Sequence, residues 1–229
     1  DVRSRYTFGF GAFSRSSNLS KGNGNIPVKI LSHRGYWQSP AEKNTIESFT
    51  RSFKLGFGTE TDVRDLKGEL VISHDMPLGG ELSFESMLEM AVALEVGAPL
   101  TLALNVKSDG LATKINEILL LFPSLDCFVF DMAVPDMAAY LDTEVDVFSR
   151  MSEVEVSPTW LNRCDGVWLD SFYGDWFGTE TIEDLINLGK RVCVVSSELH
   201  RRDSSELWRE IKSLANEEQL MLCTATPEE

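Results

Sequence analysis

Short apolar, β-branched runs alternate along this chain with longer runs whose apolar residues recur at i, i+3 and i+4. The first kind reads as buried strands and the second as amphipathic helices. Strands are expected at 28–33 (VKILSH), 58–63 (GTETDV), 100–106 (LTLALNV), 127–130 (CFVF), 145–150 (VDVFSR), 166–170 (GVWLD), 191–196 (RVCVVS) and 220–224 (LMLCT). A further run, 69–74 (ELVISH), follows the second strand across Lys67-Gly68 and reads as its hairpin partner. Helices are expected at 45–55, 84–94, 111–121, 135–141, 181–188 and 205–215, with Asn44-Thr45, Ser83 and Thr179 as N-cap candidates.

This alternation implies an α/β protein with a parallel sheet and helices outside it. Closure of the eight strands into a (β/α)8 TIM barrel is the economical architecture for 229 residues. The rival is an open doubly wound sheet, which would carry a Gly-rich phosphate turn after its first strand. The turn here is His33-Arg34-Gly35 instead. The chain stops at Glu229, shortly after the last strand, so the final helix is expected to be short or missing. Residues 1–25, rich in Gly, Ser and Asn, read as an N-terminal arm, and 26–229 as the barrel domain.

Charge narrows the function classes. Lys and Arg number 21 against 36 Asp and Glu, a formal net charge of −15. A body this acidic repels nucleic acid at long range, so a phosphate-bearing ligand must meet a locally positive site. Cys127, Cys164, Cys193 and Cys223 form no CxxC pair and read as reduced, structural thiols. No apolar run reaches the roughly 18 residues of a membrane span. With no apolar signal core at the start, these features point to a cytoplasmic protein without an integral membrane segment.

Candidate chemistry gathers at the strand ends, where a (β/α)8 barrel carries its catalytic groups. Glu60 and Asp62 lie two apart on one strand and share a face. Two carboxylates held together call for a cation between them, and hard oxygen donors suit Mg²⁺ or Ca²⁺. Asn105 and Lys107 repeat the spacing on the next strand; Asn105 offers a carbonyl ligand and Lys107 a contact to phosphate oxygen. Arg150 ends the fifth strand. His33 and His74, two of only three histidines, end strands beside these groups. One imidazole can take a proton from an attacking hydroxyl while the other donates to a leaving group. Trp168, with Tyr36, Trp37, Phe172, Tyr173 and Trp176, is a candidate aromatic wall for the substrate.

HRGYW (33–37), KNTIESF (43–49), LGFGTETDV (55–63) and GELVISHD (68–75) together resemble the opening of the glycerophosphodiester phosphodiesterase family. That family shows a His-Arg-Gly turn, an Asn-Thr helix start, Glu-x-Asp on the second strand and His-Asp after a Gly-containing turn. The resemblance implies a TIM barrel that hydrolyses a small phosphodiester of lipid metabolism. His33 and His74 would be its acid–base pair, Arg34 its phosphate ligand, Glu60 and Asp62 its metal ligands, and Lys107 a neutralising cation. The reaction would pass through a cyclic phosphate formed by a neighbouring glycerol hydroxyl. Three positions depart from the pattern. Asn105 stands for a third carboxylate, Lys43 for the Glu before Asn-Thr, and Thr224-Ala225-Thr226-Pro227 lacks the family's Asp. These suggest a divergent branch. They keep two alternatives in view: a catalytically weak barrel that binds a phosphate ligand, and a lyase that releases the cyclic phosphate.

Overall fold

The computed structural model describes residues 28–214 and 217–229; the expected arm at 1–25 lies outside them. Eight parallel strands close into a barrel: β1 (Lys29–His33), β2 (Gly58–Leu66), β4 (Thr101–Val106), β5 (Asp126–Phe130), β6 (Asp146–Met151), β7 (Gly166–Leu169), β8 (Arg191–Val195) and β9 (Leu220–Thr224). β1 pairs with both β2 and β9, which completes the ring. β3 (Glu69–Ile72) lies outside it, antiparallel to β2. The Lys67-Gly68 turn joining them has φ of 54° and 87°, the left-handed pair that suits strand twist in a two-residue hairpin. The expected (β/α)8 architecture with its extra hairpin strand is therefore the observed one.

Among the described residues six α-helices pack outside the barrel: α1 (Ile46–Lys54), α2 (Phe84–Leu94), α3 (Ala112–Leu119), α4 (Val134–Tyr140), α5 (Thr179–Asn187) and α6 (Ser205–Ser213). Thr45 and Ser83 cap α1 and α2 as expected, whereas Gly178, not Thr179, is the N-cap of α5. No helix joins β6 to β7 or follows β9 among the described residues. None of the helices is long and apolar enough to cross a membrane.

Inside the barrel, Leu31, Ala103, Phe128, Phe130, Phe148, Trp168, Cys193, Val195, Met221 and Cys223 are buried together. The aromatics fill the β5–β7 side, with Phe128 stacked on Phe148 at 3.8 Å and Phe130 on Trp168 at 3.9 Å. A Cβ on Gly166 would lie 2.4 Å from the Phe148 ring, so β7 needs glycine where the stack presses on it. Towards their C-terminal ends β2 and β4 carry buried polar side chains instead, Glu60, Asp62 and Asn105. That asymmetry places the candidate site at the C-terminal end of the β1–β2–β4 side. All four cysteines are free thiols.

Candidate active site

The site begins where β1 ends. His33 lies in register with Glu60 of β2, and Asp62 with Asn105 of β4. The chain then turns sharply, with Arg34 at φ 60° and Gly35 at φ 80°. A Cβ on Gly35 would sit 2.3 Å from Ser48 Oγ, so glycine both permits the turn and admits α1 against it. The backbone N–H of Arg34 donates to Glu60 O at 2.9 Å, and that of Asn44 to Arg34 O at 2.9 Å. The turn therefore brings Arg34 and Asn44 over the same two strands.

Glu60 and Asp62 are buried among three basic groups. Asp62 Oδ2 lies 2.9 Å from Arg34 Nε and accepts from Asn44 Nδ2 at 2.9 Å, while Oδ1 lies 3.4 Å from Lys107 Nζ. Asn105 Nδ2 donates to Glu60 Oε1 at 3.4 Å and to Asp131 Oδ2 at 3.3 Å. His33 Nε2 lies 3.7 Å from Glu60 Oε2. Five buried atoms here have no hydrogen-bond partner: Glu60 Oε2, Asp62 Oδ1, Asn105 Oδ1, His33 Nδ1 and Arg34 Nε. Buried acceptors are costly to leave unmatched, and such a set marks a place for a ligand.

Electrostatics sharpen this. Burial, then the nearby Arg34, Lys43, Lys107 and His74, depress the His33 imidazole to about 3, so it is neutral at physiological pH. Burial and the Asp62 carboxylate push Glu60 up to about 8, against the pull of Arg34 and Lys107. Without a cation Glu60 would hold its proton at neutral pH. Two acid oxygens and an amide oxygen, none accepting a hydrogen bond, make a donor set that fits a hard divalent cation. Such an ion would satisfy all three and favour ionised Glu60. Among the described residues no group of three His, Cys, Asp or Glu side chains gathers around a metal position. The third ligand would thus be the neutral Asn105.

His74 follows β3, half-exposed, with Nδ1 2.9 Å from Asp75 Oδ1. It lines a cleft of about 580 Å³ together with Arg34, Lys43 and Asn44. It is near enough to His33 for its charge to contribute to the depression there. Arg150 lies on the other side of the mouth, 3.2 Å from Asp131 Oδ1, bonded to Glu155, and 5.9 Å from the Phe172 ring centroid. Asp170, at the end of β7, holds His200 Nε2 at 2.7 Å. Trp168 lies on the inner face of β7. It is buried with the inner cluster and stacks on Phe130, and it lies in register with Arg150. Two residues gained importance. Asn44 was legible only as part of a helix cap, and Asp131 only as a polar strand end; both bond directly to candidate ligands.

No protein-family model and no curated protein sequence matches the chain. Solved structures do. A Galdieria sulphuraria protein assigned as a glycerophosphodiester phosphodiesterase is 21% identical with a TM-score of 0.64, over 88% of this chain and 95% of its own. An Oleispira antarctica phosphodiesterase in complex with the product sn-glycerol-3-phosphate is 17% identical with a TM-score of 0.64, over 88% and 94%. A calcium-dependent phosphoinositol-specific phospholipase C from Pseudomonas is 10% identical with a TM-score of 0.59, over 87% and 90%. The chain has the barrel fold that these phosphodiester-cleaving enzymes share.

Proposed function

We propose that this protein is a divergent glycerophosphodiester phosphodiesterase, a metal-dependent hydrolase of a small glycerophosphodiester-like phosphodiester. The observation that carries the reading is the set of buried atoms without a hydrogen-bond partner, Glu60 Oε2, Asp62 Oδ1, Asn105 Oδ1, His33 Nδ1 and Arg34 Nε, with Lys107 beside them. The shared fold with an enzyme holding sn-glycerol-3-phosphate supports the substrate class, and that with a calcium-dependent phospholipase supports a divalent ion. Such an ion, held by Glu60, Asp62 and Asn105, would act as a Lewis acid on a phosphoryl oxygen and acidify the attacking hydroxyl.

Arg34, Lys107 and Arg150 bind the phosphodiester anion and offset charge as it builds on the phosphoryl oxygens. Burial, then the nearby cations, keep His33 neutral and so free to accept a proton, and the bound anion offsets the charge of those cations. His33 then takes the proton of a neighbouring substrate hydroxyl, whose oxygen attacks phosphorus. The bond from phosphorus to the leaving alcohol breaks, and His74, oriented by Asp75, gives that oxygen its proton. In the second half, water opens the cyclic phosphate with the two histidines in reversed roles.

A panel of phosphodiesters with varied head groups, followed by phosphorus NMR with and without Ca²⁺ or Mg²⁺, tests this. Metal-dependent release of a phosphomonoester supports it; a cyclic phosphate as the final product makes the protein a lyase; no turnover with any head group contradicts it. The neutral Asn105 favours a second reading, a phosphate-binding barrel with weak catalysis. Activity created by Asn105→Glu in an otherwise silent parent would identify that case.

A further inference from the structure

Among the described residues, six other than glycine have positive φ: Arg34, Asn44, Lys67, Asp131, Trp160 and Arg201. Three of them, Arg34, Asn44 and Asp131, stand at the candidate site. Asn and Asp tolerate this left-handed backbone best, yet it still strains any side-chain-bearing residue, and such strain gathers where function over-determines the geometry.

Asn44 does not cap α1, because Thr45 does. Its side chain is instead fixed at both ends. Nδ2 donates to Asp62 Oδ2 at 2.9 Å and Oδ1 accepts from Thr61 Oγ1 at 3.0 Å. Asp131 is fixed in the same way. Its Oδ2 accepts from Asn105 Nδ2 at 3.3 Å, and its Oδ1 lies 3.2 Å from Arg150 Nη1. Asn105 Nδ2 thus donates to two carboxylates, on Glu60 and Asp131. Flipping the amide would set its oxygen against both, so the amide orientation is determined. In each case the left-handed residue grips one atom of a ligand side chain and leaves the other buried: Asn105 Oδ1 has no hydrogen-bond partner, and Asp62 Oδ1 has only Lys107 Nζ at 3.4 Å.

We infer that Asn44 and Asp131 are positioning residues that hold Asp62 and Asn105 with one oxygen each presented to a divalent cation. This rests on the metal site proposed above and adds what orients it. Outer partners of this kind set the direction of a ligand's lone pair and so tune affinity for the ion.

Glycine separates the roles, because it adopts positive φ without strain and deletes only the side chain. Metal-stripped parent, Asn44→Gly and Asp131→Gly are titrated with CaCl₂ by calorimetry, and their thermal midpoints are measured without metal. Each variant is expected to weaken Ca²⁺ binding about tenfold, with a metal-free midpoint equal to or above the parent's. Asp131→Asn keeps an acceptor for the Asn105 amide and is expected to retain most of the affinity. Unchanged Ca²⁺ affinity in both glycine variants overturns the inference. So does a weakened affinity with a matching fall in the metal-free midpoint, or a variant that does not fold, since these mark a structural role. A parent that binds no Ca²⁺ overturns the metal site itself, and that result is distinct from loss in the variants alone.

Discussion

At the N-terminal end of the barrel, Arg191 donates to both oxygens of Asp126 at 2.7 and 2.8 Å and to Asp146 at 2.9 Å. Lys29 and Thr101 add bonds to Asp126 at 3.0 and 2.7 Å, and the guanidinium lies 5.8 and 5.5 Å from the Phe128 and Phe148 ring centroids. At the C-terminal end, Glu60, Asp62, Asn105, His33 and Arg34 each keep a buried atom without a hydrogen-bond partner, three of them acceptor oxygens. Both ends bring acids and bases together under partial burial. One is closed upon itself; the other has acceptors in excess of its donors. A satisfied cluster stabilises the fold, whereas an unsatisfied one costs stability until a ligand completes it.

Variants at the two ends should therefore behave in opposite ways. The largest effect is expected from His33→Ala, with kcat/KM for the best phosphodiester lowered about a thousandfold and the melting midpoint little changed. Comparable turnover by that variant would remove His33 from the chemistry. Arg191→Ala, at the closed end, should cost about 2–3 kcal/mol in urea unfolding because Asp126 and Asp146 lose their partner. The folded variant should turn over normally. A silent Arg191→Ala in unfolding would mean the closed end is not a stabilising element.

The smallest effect concerns Glu60. A carboxyl raised to about 8 in the fold binds more protons than the unfolded chain between its ordinary value and 8. Its contribution to the stability of the metal-free protein therefore falls as pH rises through that window. Glu60→Gln should abolish this slope and leave the metal-free protein more stable than the parent at pH 9. Denaturant melts at pH 6 and 9 measure it. A variant less stable than the parent at pH 9 would show that the carboxylate is already satisfied.

The architecture was legible in the sequence because periodicity is local. The 84–94 helix pattern and the LMLCT strand reappear with the same bounds as α2 and β9. The shared face of Glu60 and Asp62 followed from two-residue spacing alone. What escaped depended on contacts across the fold. Asn44 reads as a capping residue beside Thr45 because its bond to Asp62 spans 18 positions. Asp131 reads as a polar strand end because neither its left-handed turn nor its pairing with Asn105 and Arg150 leaves a local trace. Trp168 alternates as a mouth residue would. Its stack on Phe130, a contact across strands, leaves no trace in that alternation.

Titration calorimetry of the metal-stripped protein with CaCl₂ at pH 7, in two buffers of different ionisation heat, addresses the open end most directly. One saturable site is expected, with release of about one proton as Glu60 ionises to ligate the ion, and with no binding in Glu60→Gln. No saturable binding by the parent, or equal affinity in Glu60→Gln, would contradict a metal site built on Glu60, Asp62 and Asn105.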